Sequence, residues 1–249
     1  MSKITIITCT YNSELFIEET LKSIYSQKFR DFEHLIVDNL SSDNTKKIID
    51  KYYFKNQILI SEKDHGIYDA FNKGIQKSSG DIIGFLHSSD FYQNSNYLNN
   101  VVEKFEETDC DILYTSVSQF NKDNSKIKIK RKWKADSFKK FKLNYGWMPP
   151  HCSTFVKREH YINNLYSTKY EISSDYNWLL KKLLKIETNK TQYLPDLYYM
   201  QRLDGVSTNK KFFIKKFIED YSILKEYYKF PILITMMKRL SKISQYILK

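Results

Sequence analysis

Over the first ninety residues, short apolar runs alternate with stretches of helical periodicity. Ile4-Thr5-Ile6-Ile7-Thr8-Cys9 suits a strand buried on both faces, and it ends at the polar Thr10-Tyr11-Asn12-Ser13. Asn12 or Ser13 can cap the helix that follows, whose apolar positions Leu15, Ile17, Leu21, Ile24 and Tyr25 share one face. Phe32–Asp38 predicts a second strand, Asn39–Thr45 a turn rich in Ser and Asp, Lys46–Tyr53 a short helix and Gln57–Ser61 a third strand. Asp64-His65-Gly66 bends the backbone with a residue that lacks Cβ. From there Ile67, Ala70, Phe71, Gly74 and Ile75 recur at helical spacing, Gly80-Asp81 ends that helix, and Ile82–Leu86 predicts a fourth buried strand. This β-α-β-α-β-α-β succession belongs to a parallel sheet with right-handed crossovers. His87, Ser88, Ser89 and Asp90 stand directly past the fourth strand, where open α/β sheets bind ligands. A solvated turn is the plainer reading of those four residues. Ser61–Asp90 is the stretch around which the rest is expected to be organised.

Beyond Asp90 the pattern loosens. Tyr97–Glu107 predicts a helix, Asp111–Phe120 a strand, and Lys126–Arg131 (KIKIKR) an edge strand or hairpin by strict alternation. Trp147-Met148-Pro149-Pro150-His151 reads as a rigid loop, because two prolines fix φ and exclude helix. Cys152–Val156 can return to the sheet, and Asp175–Leu184 predicts a helix with Trp178, Leu179 and Leu183 on its apolar face. Neither an internal repeat nor a long linker is visible in the 249 residues.

Composition removes several classes. With 20 Tyr, 16 Phe and 3 Trp against 6 Gly and 4 Pro, the chain is no disordered sequence. Cys9, Cys110 and Cys152 are too far apart for a zinc or CxxC motif and odd in number, which suits a reduced, cytoplasmic setting. The N-terminus enters a strand pattern without a signal peptide, and no apolar run reaches membrane-spanning length. Neither GxGxxG nor GxxxxGK[ST] occurs. The net charge of +11 is uneven: residues 209–249 carry +7, residues 121–142 carry +8, and the remainder is net negative. Such basic segments face something anionic: a membrane, a phosphorylated lipid or nucleic acid. No nucleic-acid motif accompanies them, so no nucleic-acid partner is expected.

The motifs, taken in order, resemble one family. Ile4–Asn12, Val37-Asp38-Asn39 with Ser41-Ser42-Asp43, Asp64-x-Gly66 with Asp69-Ala70-x-Asn72-Lys73-Gly74, and Gly80-Asp81 leading to Asp90 are similar to inverting glycosyltransferases of family 2, on the GT-A fold. Pro150-His151, Ser174-Asp175-Tyr176 and Gly205-Val206-Ser207 extend the resemblance to that family's small bacterial polysaccharide and lipopolysaccharide enzymes, over about residues 3–208. The resemblance implies an α/β fold with a mostly parallel central sheet, helices on both faces and further helices at the C-terminus. It implies a transferase domain over 1–208, with a nucleotide-sugar half (1–90) and an acceptor half (91–208), followed by a basic helical extension (209–249).

Transfer from a nucleotide diphospho-sugar needs a base-and-ribose pocket, stabilisation of the departing diphosphate and a general base for the acceptor hydroxyl. Asp38 can accept from a uracil imide, or it can cap the Ser-rich turn. Thr10, Tyr11 and Asn12 can frame the base. Asp64 and Lys73 resemble family positions near the nucleotide, although Lys73 can equally be a solvated helix lysine. Where the family carries an acidic-x-acidic motif for Mg²⁺ or Mn²⁺, this chain has His87-Ser88-Ser89-Asp90, and serine is a poor ligand for a hard dication. Either Asp90 and His151 hold a metal, or lysines and helix N-termini neutralise the diphosphate without one; the second is favoured. Asp175 matches the family's catalytic base, against the plain reading of a first-turn carboxylate that complements the helix dipole.

Leu233, Met236/Met237, Leu240, Ile243 and Ile247 form an apolar stripe beside Lys238, Arg239 and Lys242. It fits an amphipathic helix on an anionic membrane or an ordinary packed helix. The expected function is sugar transfer from a nucleotide-sugar, with UDP the expected nucleotide, to a glycan or lipid-linked acceptor at the inner face of the membrane. The alternative is a nucleotide-sugar-binding protein that has lost catalysis.

Overall fold

The computed structural model describes residues 3–52, 54–123, 126–203 and 212–247, the last six of these by their backbone only. Gly205-Val206-Ser207 and the side chains of Ile243 and Ile247 lie outside the described residues. The first half follows the sequence pattern closely. β1 (Ile4–Thr10), β2 (Phe32–Asp38), β3 (Gln57–Ser61) and β4 (Ile82–Phe85) are joined by α1 (Ile17–Tyr25), α2 (Thr45–Lys51) and α3 (Ile67–Lys77). β1, β2 and β4 are buried along their whole length, as near-continuous apolar runs between two helical layers must be. All pair in parallel in the order β3-β2-β1-β4. α3 starts at Gly66, whose φ of +114° is open to glycine and strained for other residues.

The second half is mixed rather than parallel. β5 (Phe91–Tyr92), α4 (Tyr97–Thr108), β6 (Ile112–Asp123), β7 (Lys126–Trp133), β8 (Thr154–Lys157), α5 (Ser174–Leu183) and β9 (Thr191–Arg202) follow in chain order. β8 runs antiparallel between β4 and β6, β9 lies parallel to β6, and β5 closes the edge against β9. One edge of β6 is therefore shared: Ile112–Tyr114 pair with β8, and Val117–Asp123 with the basic β7. β8 joins the strands before and after residue 90 into one sheet.

Two strands escape the sequence pattern. β5 has two residues, below the length at which periodicity is visible. β9 carries Pro195-Asp196 in its middle, where its register against β6 shifts and the Pro195 carbonyl accepts from the Ser116 hydroxyl.

α6 (Phe213–Lys225) and α7 (Pro231–Ile247) pack on one another and against α5, β7 and the short 3₁₀ helix Lys140–Tyr145. That 3₁₀ helix ends at Gly146, with φ +75°, where a Cβ would sit 2.6 Å from Lys238 Cβ and 3.0 Å from the Ile234 carbonyl. The predicted stripe of α7 faces outward. Leu233, Met236 and Leu240 are exposed, whereas Ile234, Thr235 and Lys238 are buried. Lys238, expected beside a surface stripe, instead forms a buried ion pair with Asp220 at 2.9 Å.

Candidate active site

Three loops meet past the carboxyl ends of β1, β2 and β4. The Asn12 amide donates to Ser41 Oγ, the Asn12 side-chain oxygen accepts from the Ser42 amide, and the Ser13 amide donates to Thr45 Oγ1. Ser13 and Ser88 share a hydroxyl hydrogen bond of 3.0 Å that ties the end of β1 to the end of β4. Thr10 is buried with a hydroxyl that has no partner, and Tyr11 stands 60% exposed at the rim, an aromatic face open to stacking.

Asp38 ends β2 as expected but is fully buried. Its carboxylate accepts from the Ser41 amide at 3.1 Å, the Ser61 hydroxyl at 2.9 Å and the Ser41 hydroxyl. The turn-capping reading describes its contacts: Asp38 shapes the serine turn and fastens it to β3. Asp64 donates its amide to the Asn39 side chain and accepts from the Gly66 amide. Burial raises the Asp64 carboxyl, with the Gly66 N–H and Lys73 opposing. Lys73 is held by Glu62 at 3.0 Å and by the Lys63 carbonyl at 2.6 Å. It knits together the loop before α3.

Asp90 is 3% exposed. One oxygen accepts from the Arg202 amide at 2.9 Å and from Ser89, the other from the Tyr199 hydroxyl at 2.9 Å. Burial outweighs those donors and raises its carboxyl to about 7. His151 places Nε2 2.7 Å from the Tyr166 hydroxyl, and its ring stacks on Phe71 and Phe85. Asp90 and His151 thus each have other partners, Ser89 offers a hydroxyl where a carboxylate would be needed, and the set does not fit a hard dication. Among the described residues, Asp111, Glu159 and His160 do bring ligand atoms within 4.8 Å of one another. They lie at the other end of the sheet, beyond the start of β4, where Lys157 already sits 3.1 Å from Asp111.

The chemistry concentrates around Asp175, in the first turn of α5. Its Oδ1 accepts from its neighbour's amide, Tyr176 N, at 2.8 Å and lies 2.9 Å from the Tyr68 hydroxyl, which also reaches the Ile172 carbonyl at 2.7 Å. Burial pushes the carboxyl up, but His151, Lys216, the Tyr176 N–H and the Tyr68 hydroxyl outweigh it and hold it below its ordinary value. His87, its ring stacked on Phe71, is pushed down by burial to about 4, with His151 adding to the effect. His151 is also lowered by burial, with Asp175 opposing. Charge attraction and hydrogen bonds thus favour the Asp175 carboxylate, while burial disfavours the charged form of both imidazoles. The structure stacks His87 and His151 on Phe71, and Asp175 interacts electrostatically with both. Tyr68 was not singled out although it lies between Gly66 and Asp69, and Tyr199 was hidden because its strand was.

A family model described as "Glycosyl transferase family 2" matches residues 5–165. The chain belongs to this family. Among curated relatives, the Escherichia coli UDP-Glc:alpha-D-GlcNAc-diphosphoundecaprenol beta-1,3-glucosyltransferase WfaP is 28% identical over 232 residues, which is 90% of this chain and 86% of that protein. The hyaluronan synthase of Pasteurella multocida is 27% identical over 86% of this chain, but the match spans 22% of that longer protein. The structure of residues 1–349 of TarS from S. aureus in complex with UDP-GlcNAc superposes with a TM-score of 0.71 at 21% identity, over 90% of this chain and 66% of that one. The chain is thus a family 2 glycosyltransferase on the GT-A fold, with a mixed sheet and added C-terminal helices.

Proposed function

We propose that the protein is an inverting transferase in which Asp175 is the general base. Its donor is a nucleotide-sugar, with UDP as the nucleotide, seated across the Thr10–Ser13 and Asn39–Thr45 loops. The observation that carries this reading is the Asp175 carboxyl oxygen that accepts from the Tyr68 hydroxyl and the Tyr176 N–H in the first turn of α5. As the acceptor hydroxyl oxygen bonds to C1 of the sugar, Asp175 takes its proton, the C1–O bond to the diphosphate breaks, and the anomeric centre inverts. Lysines and helix N-termini neutralise the departing diphosphate in this reading, since Ser89 stands where a metal-binding carboxylate would. A screen of nucleotide-sugars following released nucleotide diphosphate tests this. Asp175→Asn should lower kcat by roughly 10²–10⁴ with little change in UDP affinity. Near-normal turnover in that variant removes Asp175 from the mechanism.

The acceptor in this reading is a lipid-linked or polysaccharide oligosaccharide, reached at an anionic membrane surface. Two observations favour it: the relative WfaP is named for a diphosphoundecaprenol-linked substrate, and α6 and α7 turn apolar stripes outward beside lysines. Ile214 and Ile218 on α6, and Leu233, Met236 and Leu240 on α7, are more than half exposed. Among the described residues no helix is long and apolar enough to cross a membrane, and an interfacial seat needs none.

A further inference from the structure

No side-chain cap fixes the start of α5. Ser173, at its N-cap, makes no side-chain capping bond, and the Ser173 and Ser174 hydroxyls are buried without partners. That segment is held instead by a carboxylate from a different helix. Glu219 of α6, 9% exposed, accepts the backbone N–H groups of Glu171, Ile172 and Ser173 at 3.1, 3.0 and 2.8 Å. Three successive amides gathered on one carboxylate fix the path of the loop, and Asp175 is two residues further on. From the other side Tyr68 grips the Ile172 carbonyl of the same loop. A second bolt lies one turn away: Lys238 of α7 sets its ammonium 3.1 Å from the centre of the Tyr176 ring and 2.9 Å from Asp220.

We infer that Glu219 is a positioning residue for Asp175, which makes the α6–α7 hairpin a working part of the catalytic centre. The inference rests on Asp175 being the base. A charged acceptor is needed because three N–H groups leave the 171–173 segment on one side, and a neutral side chain at 219 could not satisfy them equally. Glu219 does not touch the cleft loops at Thr10–Ser13 and Asn39–Thr45, so its loss should act on turnover and leave nucleotide binding alone. Displacing a reacting group by about 1 Å costs on the order of 100-fold in rate.

The test compares Glu219→Asp, Glu219→Gln and Glu219→Ala with the wild type and Asp175→Asn, measuring kcat, UDP affinity by calorimetry and thermal melting. The inference expects kcat to fall in the order Glu, Gln, Ala by roughly 10- to 100-fold, with UDP affinity held within about twofold. In the Asp175→Asn background, Glu219→Gln should have no further effect, because residues acting through one group are not additive. If Glu219→Ala does not fold, Glu219→Gln and Glu219→Asp decide. Normal kcat in folded variants, or a loss of kcat matched by an equal loss of UDP affinity, overturns the inference. An active Asp175→Asn enzyme would instead overturn the proposed base, so the two failures are distinguishable.

Discussion

The Asp220–Lys238 pair fixes what anchoring the hairpin contributes to stability. Both side chains are buried, at 2% and 8% exposure, and burial lowers the Lys238 ammonium to about 8 against the pull of Asp220. Asp220→Ala leaves that ammonium with the Tyr176 ring face and the more distant pull of Asp175, and it also strips Arg239 of the carboxylate 4.0 Å away. Breaking a buried pair from one side costs about 3–5 kcal/mol, since an uncompensated charge stays behind. In a chain of this size 1 kcal/mol moves the melting temperature by about 2–4 °C, so a fall of roughly 6–20 °C is expected at pH 7. Asp220→Leu with Lys238→Met removes both charges and should melt close to the wild type or above it. The pH dependence has a definite sign. With the folded pKa of Lys238 below its unfolded value, the unfolded chain binds more protons between about 8 and the ordinary lysine value, so stability gained from this group rises with pH across that window. In Asp220→Ala the folded value drops further, and the gain should begin at lower pH. Thermal melts by circular dichroism at pH 7 and pH 10 check all three statements. An Asp220→Ala protein melting within about 2 °C of wild type at pH 7 would refute the reasoning.

Three further outcomes are expected. Because Asp175 is held below its ordinary value, it stays ionised as pH falls from neutrality; a kcat/KM profile losing activity with an acid limb near pH 6 that vanishes in Asp175→Asn would contradict this. Asp38→Ala strips the Ser41 amide and two hydroxyls of their acceptor, so it should cost about 1–3 kcal/mol in stability and weaken UDP binding as the serine turn loosens; unchanged melting and calorimetry would count against that role. Leu233→Glu with Met236→Glu and Leu240→Glu alters only outward side chains, so it should abolish sedimentation with anionic vesicles at low salt while melting is preserved; undiminished vesicle binding would argue against the membrane seat.

The first four strands and three helices were legible because buried parallel strands and amphipathic helices write distinct periods. Asp175 and the His87–Asp90 cluster were located through motif order, which places residues at element ends. What stayed hidden was contact geometry between distant segments. Asp90 faces Tyr199 and Arg202 across a strand that Pro195 disguises, and Lys73 finds Glu62 only once the loop before α3 folds back. Asp38 read equally well as ligand or cap, and three serine contacts distinguish the arrangement. The outward face of α7 was visible as a stripe, but amphipathicity gives a helix two faces without saying which one meets the protein.

The tie between Glu219 and residues 171–173 also has a meaning in time. A chain leaving the ribosome presents the proposed nucleotide loops first, Asp175 later and Glu219 later still. At about 5–20 residues per second, the 44 positions from Asp175 to Glu219 emerge over roughly 2–9 s. Throughout that interval the growing polypeptide has the strands that frame a donor but lacks the brace that aims the carboxylate. On the proposed roles, competence to transfer sugar arrives only once α6 and α7 have emerged, the helices whose outward apolar face is proposed to meet the membrane.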